Sequence, residues 1–392
     1  MEEMKKILNQ LMKDAMQEYS LPGLVLGIKI GESSKIVPSE FVYTGAAGYR
    51  NFETKEKMEV DQIFHMASIT KLFVGTSIMQ LWEKKLLSLD EKLVEIFPEL
   101  ENSQEMFKKI TIKHLLTHTS GLSNVKDFGW DKPEIGEKAL REYAVSTEVK
   151  NIEFLCSPDD LEFNYSDVGY ELLGAIIEIK TGMNIEAYIK KNIFEPLGMN
   201  DSTLLTFERT FVLPEIMESI HKNKSILKSS DFIKNNILSL KNLSNVGLAM
   251  PHKRNEKDTI ILESNYPYNR PHGPSSTLTS NFFDMEKFVE SHLNHITGRR
   301  NVPSLLKPDT YEMIWRKYAI VPNNGEHIGM SWFIREQNGY TLYGHEGTDD
   351  GFRASFWICP QLDISILVNS NITKAPVKRI AKKAFELVFS KL

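Results

Sequence analysis

The sequence predicts a mixed α/β fold of the α+β kind, with one antiparallel sheet built from both chain ends, flanked by helices and interrupted by an inserted, mainly helical domain. Strand-like segments occur near the start and again in the last third, apolar residues at helical spacing fill the middle, and amphipathic helical patterns stand at both ends. At 392 residues, 41% of them hydrophobic, the chain can bury a sizeable core in one large or two moderate domains. The sheet domain is expected over 1–75 and 270–392, and the helical domain over 76–269.

The first element is an amphipathic helix, with Met4, Ile7, Leu8, Leu11, Met12, Ala15, Met16 and Tyr19 on one face and charges on the other. Leu24 to Ile30 and Phe41 to Tyr49 then read as a hairpin across a Gly, Ser and Pro turn region. From Ser68 to about Gly198 the pattern is helical in LFVGTSIMQLWEKKLL, ITIKHLLTHTSGL and VGYELLGAIIEIKTG, each ended by Gly or polar stops. The stretch from Phe207 to about Tyr268 is rich in Lys, Asn and Ser, with a weaker helical pattern in SILKSSDFIKNNILSL, and reads as a variable insertion or flap. Strands return at Ile328 to Arg335, Tyr340 to His345, Phe352 to Cys359 and Ile364 to Asn369, followed by a closing helix from Ala375 to Leu392. No internal repeat or low-complexity tract interrupts this order.

Charge and composition exclude several functions. The 47 basic and 52 acidic residues are scattered, giving a net charge of -5 and no basic patch of the kind nucleic acid requires. Asn9, Gln10, Lys13 and Asp14 interrupt the first helix, so it does not read as a secretory signal, and no stretch is apolar for long enough to span a membrane. The expected location is cytoplasmic. Cys156 and Cys359 form no C-x-x-C pair and no His cluster has metal spacing, so two free thiols are expected, with no metal and no organic cofactor.

The chemistry begins at Ser68. A serine three residues before a lysine recurs at Ser123/Lys126, Ser219/Lys222, Ser225/Lys228 and Ser304/Lys307, so the pair alone means little. Only at Ser68 and Lys71 does a short apolar segment, Ile63 to Ala67, run into a long apolar helix. A helix N-terminus offers free backbone N–H groups and the positive end of its dipole to negative charge developing on a substrate. Lys71 lies one turn on, on the same face, where an amine kept partly neutral by burial could take the Ser68 proton directly or through a neighbouring phenol.

Phe163-Asn164-Tyr165-Ser166-Asp167 precedes another apolar helix, and His345-Glu346-Gly347 stands on an expected strand before Thr348-Asp349-Asp350-Gly351-Phe352-Arg353. With Ser68-Ile69-Thr70-Lys71, these segments resemble, in order, the three motifs S-x-x-K, Y-x-N and K-T-G or H-x-G. Those motifs belong to the superfamily of class C β-lactamases, D,D-carboxypeptidases, D-aminopeptidases and related esterases. Ile110 to Leu122, Glu171 to Met183, Ile193 to Met199 and Gly273 to Phe288 resemble that superfamily's connecting segments, so the likeness covers nearly the whole chain except Phe207 to Tyr268. Taken singly, Tyr165 as a core tyrosine and His345 as a strand surface residue are the commoner readings; their joint order and context overturn them.

The resemblance implies a β-lactamase/transpeptidase-like fold and a covalent acyl-enzyme on Ser68. Lys71 and Tyr165 would serve as the other catalytic residues, Tyr165 shuttling a proton with its phenol pKa lowered by Lys71. The backbone N–H groups of Ser68 and Thr348 would form the oxyanion hole, and Gly347 would belong to the substrate site. His345 would line the sheet side of the cleft. Asp167 replaces the motif's asparagine, so an acceptor-only carboxylate stands where an amide could donate; its charge would favour the ammonium form of Lys71, which gives Tyr165 the larger share of general-base work. His345 replaces a lysine that would meet a substrate carboxylate, and an ordinary imidazole is mostly neutral near pH 7, so anion recognition should weaken. Arg353 would compensate only if its side chain faces the cleft.

The leading expectation is a cytoplasmic serine hydrolase acting on a small-molecule acyl substrate, either a small ester or a D-amino-acid-containing amide or peptide. A β-lactamase or D,D-carboxypeptidase working outside the membrane is the alternative, and a non-catalytic scaffold or binding protein of the same fold a second. Specificity is expected to rest on Asn124 to Asp160 and Phe207 to Tyr268. Oligomeric state is open.

Overall fold

The two ends of the chain supply one antiparallel sheet whose central strands are buried at nearly every position, as expected where both faces are covered. The computed structural model describes residues 1–34, 39–298 and 302–390. Its strands include β1 (Gly23–Ile30), β2 (Phe41–Asn51), β3 (Glu56–Lys57), β4 (Phe64–His65), β5 (Thr279–Ser280), β6 (Ala319–Ile320), β7 (His327–Ile328), β8 (Phe333–Gln337), β9 (Tyr340–Asp349), β10 (Phe352–Cys359) and β11 (Ile364–Ser370). Nine of them form the main sheet in the order β3-β2-β1-β11-β10-β9-β8-β7-β6, while β4 pairs with β5 apart from it. The two ends of the chain meet where β1 pairs with β11, in a register running from Leu24↔Ser370 to Ile30↔Ile364.

The longest helices are α1 (Glu2–Tyr19), α2 (Thr70–Glu83), α3 (Asp167–Thr181), α4 (Phe282–Thr297) and α5 (Val377–Phe389). One sheet face packs against α1 and α5, where Leu8, Leu11, Leu26, Ile28, Trp357, Ile366 and Phe385 share a core. The other face contributes Val25, Phe356 and Leu367 to a larger core that runs without a break through Phe73, Leu173, Phe282 and Phe288. Gly27 lies on that second face, and a Cβ there would come within 2.1 Å of the Phe282 ring, so the missing side chain lets α4 approach the sheet.

Two helices position the site. Residues 70–81 of α2 are all buried, as expected for a helix apolar on every side and enclosed between layers. At the start of α3 the Ser166 side chain accepts from Gly169 N, and at its end Gly182 takes the left-handed conformation that turns the chain out of the helix.

Several boundaries differ from the sequence expectation for local reasons. The helix expected over 110–122 covers only Ile112–Leu116, because His118 takes a left-handed φ of +52° and redirects the chain. The single strand expected at 328–335 is split into β7 and β8 around Ser331, whose φ is +72°. The weak helix at 225–240 is a series of short turns, Lys224–Lys228, Ser230–Phe232 and Ile233–Ile237. Strand β9 extends past His345 to Asp349, and the closing helix is confined to Val377–Phe389, with 391–392 outside the described residues. Cys156 and Cys359 are free thiols, the first only partly buried.

Phe73 is fully buried at the centre of α2 and stacks on Phe288 with ring centroids 4.1 Å apart. Phe73→Ala should lower the unfolding free energy by about 3–5 kcal/mol, the cost of a large core cavity, read from the midpoint of a urea titration with an unchanged slope.

Candidate active site

The turn into α2 is set by backbone geometry. Ala67 adopts φ +48°, a conformation that costs a non-glycine residue about 1–3 kcal/mol. The turn is held by Met66 N donating to Leu278 O at 2.8 Å, Leu278 N donating to Thr70 Oγ1 at 3.0 Å, and Thr70 Oγ1 donating to Ala67 O at 2.7 Å. Ser68 emerges from this turn, partly exposed, while Lys71 is fully buried behind it.

The Lys71 ammonium donates to Ser68 Oγ at 3.0 Å, to Asp167 Oδ1 at 2.5 Å and to the Ser275 carbonyl at 2.7 Å. These acceptors use all the donors of an ammonium group and offset the cost of removing it from water. Asp167 opens α3, and four residues on, Glu171 faces the same region. Glu171 accepts from Ser275 Oγ at 3.2 Å and pairs with His272 Nδ1 at 2.6 Å. The segment that supplies the Ser275 carbonyl is therefore anchored from beneath.

Tyr165 is held by His118, whose ring stacks on it with centroids 4.4 Å apart and whose Nδ1 accepts from Ser166 N at 3.1 Å. The Lys71 ammonium lies 5.0 Å from the centroid of the Tyr165 ring. Burial and the Asp167 carboxylate push the Tyr165 phenol well above its usual value, and the Ser68 hydroxyl offsets this only in part. This corrects the expectation that Lys71 lowers it: burial first, and then Asp167, raise it, so Tyr165 is a neutral phenol rather than a ready phenolate.

The sheet side of the cleft is the end of β9. A Cβ on Gly347 would lie 2.4 Å from the Met66 carbonyl oxygen, so the glycine lets β9 close against the turn that carries Ser68 and brings Thr348 beside it. Asp349 accepts from Ser276 Oγ and is 2.8 Å from His65 Nε2, a second tie between the end of β9 and the residues preceding Ser68. His345 is buried, with Nδ1 donating to the Glu346 carbonyl at 2.6 Å and no partner for Nε2 among the described residues. Burial first, and then Lys71, push its pKa down to about 3, so the imidazole is neutral at pH 7.

Together these groups line a cleft of about 430 Å³ with Asn124, Phe128, Phe333, Glu326, Glu346 and Lys378. Ser68, Tyr165, Asp167, His345 and Thr348 all face it. Arg353 does not: it pairs across the sheet with Thr348, on the face opposite His345, and its guanidinium donates to the carbonyls of Asp349 at 2.7 Å and Phe352 at 2.6 Å. Glu346 likewise turns away from His345, accepting from Trp357 Nε1 at 2.7 Å and Ser355 Oγ at 3.1 Å. Of the two loops expected to shape specificity, the first contributes Asn124 and Phe128; no residue of 207–268 lines the cleft, and that stretch instead borders a separate cavity with Arg270 and Glu186. Asn124, His118 and Ser275 were not singled out from sequence, although each lies in or beside a segment whose family likeness was visible. Among the described residues, no group of three or more His, Cys, Asp or Glu side chains is placed to hold a metal ion.

The family model described as Beta-lactamase matches residues 8–389. Among curated proteins, the chain is 28% identical over 240 residues to an ML-236A carboxylate methylbutanoyltransferase of Penicillium citrinum, covering 54% of each. It is 29% identical over 202 residues to Penicillin-binding protein 4* of Bacillus subtilis, covering 50% of this chain and 41% of that one. The match thus spans about half the length of these curated relatives or less. An octameric penicillin-binding protein homologue from Pyrococcus abyssi superimposes with a TM-score of 0.72 at 25% identity, over 98% of this chain and 77% of that one. The D-amino acid amidase from Ochrobactrum anthropi shares the fold with a TM-score of 0.71 at 18% identity, over 99% of both chains.

Two outcomes follow from the geometry. Gly347→Ala must separate β9 from the Met66 carbonyl; it should cost about 1–3 kcal/mol of stability and, through a shift of about 1 Å at Thr348, reduce acylation of Ser68 by roughly 100-fold, read by denaturation and by the rate of active-site labelling. His345 is ordinarily near 6.5 and falls to about 3 in the fold. As pH drops below 6.5 the unfolded chain takes up a proton that the native state refuses, so stability present above that pH is lost toward pH 3. His345→Gln should flatten this decline, measured as urea midpoints between pH 7 and 4 for the two proteins.

Proposed function

The chain belongs to the β-lactamase family, and on that premise we propose that it is a serine acyl hydrolase that turns over a small ester or a D-amino-acid-containing amide through an acyl-enzyme on Ser68. The observation that carries the reading is the 3.0 Å hydrogen bond from the buried Lys71 ammonium to Ser68 Oγ at the floor of the cleft. A serine oxygen that already accepts from an ammonium keeps its own proton free for another acceptor, and its developing negative charge is met in place.

In the proposed reaction Ser68 Oγ bonds to the substrate carbonyl carbon. Its proton passes to the Tyr165 oxygen as the phenol gives its own proton to the leaving group, whose bond to the carbonyl carbon breaks. This relay needs no free phenolate, which accords with a phenol pKa pushed upward. Backbone N–H groups of Ser68 and Thr348 hold the oxyanion. In the second half, water adds to the ester carbon, one of its protons returns through Tyr165 to Ser68 Oγ, and the acid leaves.

Cleft charge supports neutral or cationic substrates over anionic ones. Lys378 faces the cleft but pairs with Glu326 at 2.7 Å, Lys71 is committed to Asp167, and His345 is neutral. Asp349 adds a carboxylate to the cleft lining. A carboxylate-bearing β-lactam therefore meets no uncommitted cation among the described residues that line the cleft. The likeness to a methylbutanoyltransferase supports a second reading, in which an alcohol rather than water receives the acyl group.

Incubation with a fluorophosphonate should add one phosphonyl group, the reagent mass less HF, to the wild type, mapped by peptide sequencing to Ser68, and none to Ser68→Ala. Penicillin should give no adduct or a slow one. Failure of the folded protein to react with either reagent would sink the hydrolase reading, and a rapid, long-lived penicilloyl adduct would favour a penicillin-binding enzyme.

A further inference from the structure

Asp167 stands where the motif it resembles has asparagine, and the ammonium beside it makes that exchange consequential. Lys71 Nζ only donates, so a side chain at position 167 must turn an oxygen toward it; here Oδ1 accepts at 2.5 Å. With an asparagine the second position would then be an NH2 donor. In Asp167 it is another carboxylate oxygen, Oδ2, which only accepts and takes no partner among the described residues.

That oxygen is close to the reacting centre. Ser68 Oγ and Asp167 Oδ1 accept from the same Lys71 ammonium, so the carboxylate lies within two hydrogen-bond lengths of the oxygen that acylation turns into an ester. The Asp167 side chain is only 8% exposed, and it lines the cleft beside Ser68 and Tyr165. Of the other carboxylates lining the cleft, Asp349 is bonded to His65 and Ser276, Glu346 to Trp357 and Ser355, and Glu326 to Lys378; none of them touches Lys71. The unpartnered Nε2 of His345 is closed off from solvent, whereas Asp167 Oδ2 is not.

We propose that Asp167 selects water over alcohols as the acceptor of the acyl group, its Oδ2 taking a hydrogen bond from the second proton of the attacking water. This rests on the acyl-enzyme reading above and favours hydrolysis over acyl transfer to an alcohol. The water oxygen bonds to the ester carbon as one of its protons moves to Tyr165, the Tyr165 proton moves to Ser68 Oγ, and the bond from Oγ to that carbon breaks. The other proton stays on the water oxygen, donated to Asp167 throughout, and leaves as the hydroxyl of the acid. Held by both protons, the water presents a lone pair to the carbon. An alcohol has one such proton, and it is spent on Tyr165; its carbon would be set against the carboxylate, which loses hydration with no donor in return.

The test follows one acyl-enzyme in buffer containing methanol, with the acid and the methyl ester separated by chromatography. Both products leave the same acyl-enzyme, so their ratio is independent of the acylation rate and of the fraction of active protein. Asp167→Asn keeps an oxygen for Lys71 and replaces the second acceptor by a donor. The ratio of methyl ester to acid should rise roughly 10-fold over the wild type, the worth of a hydrogen bond to a charged group; a ratio unchanged within about twofold would overturn the assignment. Where the variant folds too poorly to turn over, the wild type decides alone. Its acyl-enzyme should prefer hydroxylamine, with two N–H hydrogens, to N-methylhydroxylamine, with one, by roughly 10-fold more than the free ester does in solution, and a preference equal to that of the free ester overturns the proposal. Failure of the acyl-enzyme reading is distinct: product formation would then survive Ser68→Ala.

Discussion

A lysine with no exposed surface, held between a serine hydroxyl, a carboxylate and a backbone carbonyl, constrains the architecture around the cleft. An ammonium in such a place is tolerated only if its donors are all used and its charge is balanced. That requirement fixes the relative placement of α2, the start of α3 and the segment around Ser275, none of which are neighbours in sequence. The Glu171–His272 pair extends the constraint outward by anchoring Ser275. Moving any of these elements would leave an unpaired charge in the interior.

Around this charge the remaining polar rings are kept uncharged. Burial drives His118 and His345 below their ordinary range, Lys71 adds to the effect on both, and Tyr165 is driven upward. Next to Ser68 the buried Lys71–Asp167 pair is thus set among neutral rings. Around the fully buried Lys71, electrostatic interactions are stronger than in water.

How much of this was legible in the sequence depended on distance along the chain. Ser68 and Lys71 are one helical turn apart, so their contact follows from local periodicity. The contact between Lys71 and Asp167, 96 residues away, was reachable only through motif order. Sheet composition was legible because short apolar runs bounded by turn residues are local, whereas the break at Ser331 and the turn at His118 depend on left-handed backbone that neither residue type announces. Arg353 was placed near the cleft by its proximity to the third motif, but side-chain parity across β9 and β10 decides its face, and parity needs the register. The upward drive on Tyr165 was missed because burial has no sequence signature, and the Ser275 carbonyl was missed because a backbone atom carries no residue identity.

The pairing of β1 with β11 has a consequence for how the protein comes into being. These strands lie in the interior of the sheet, yet their partnered residues, such as Leu24 and Ser370, are separated by most of the chain. Closing that loop carries a large entropic cost and makes the contact order high, which slows folding. During synthesis β1 waits with one hydrogen-bonding edge open until the last strand leaves the ribosome. Because Thr348 sits on β9, two strands from that seam, the cleft cannot be completed on a nascent chain that has only its first three hundred or so residues.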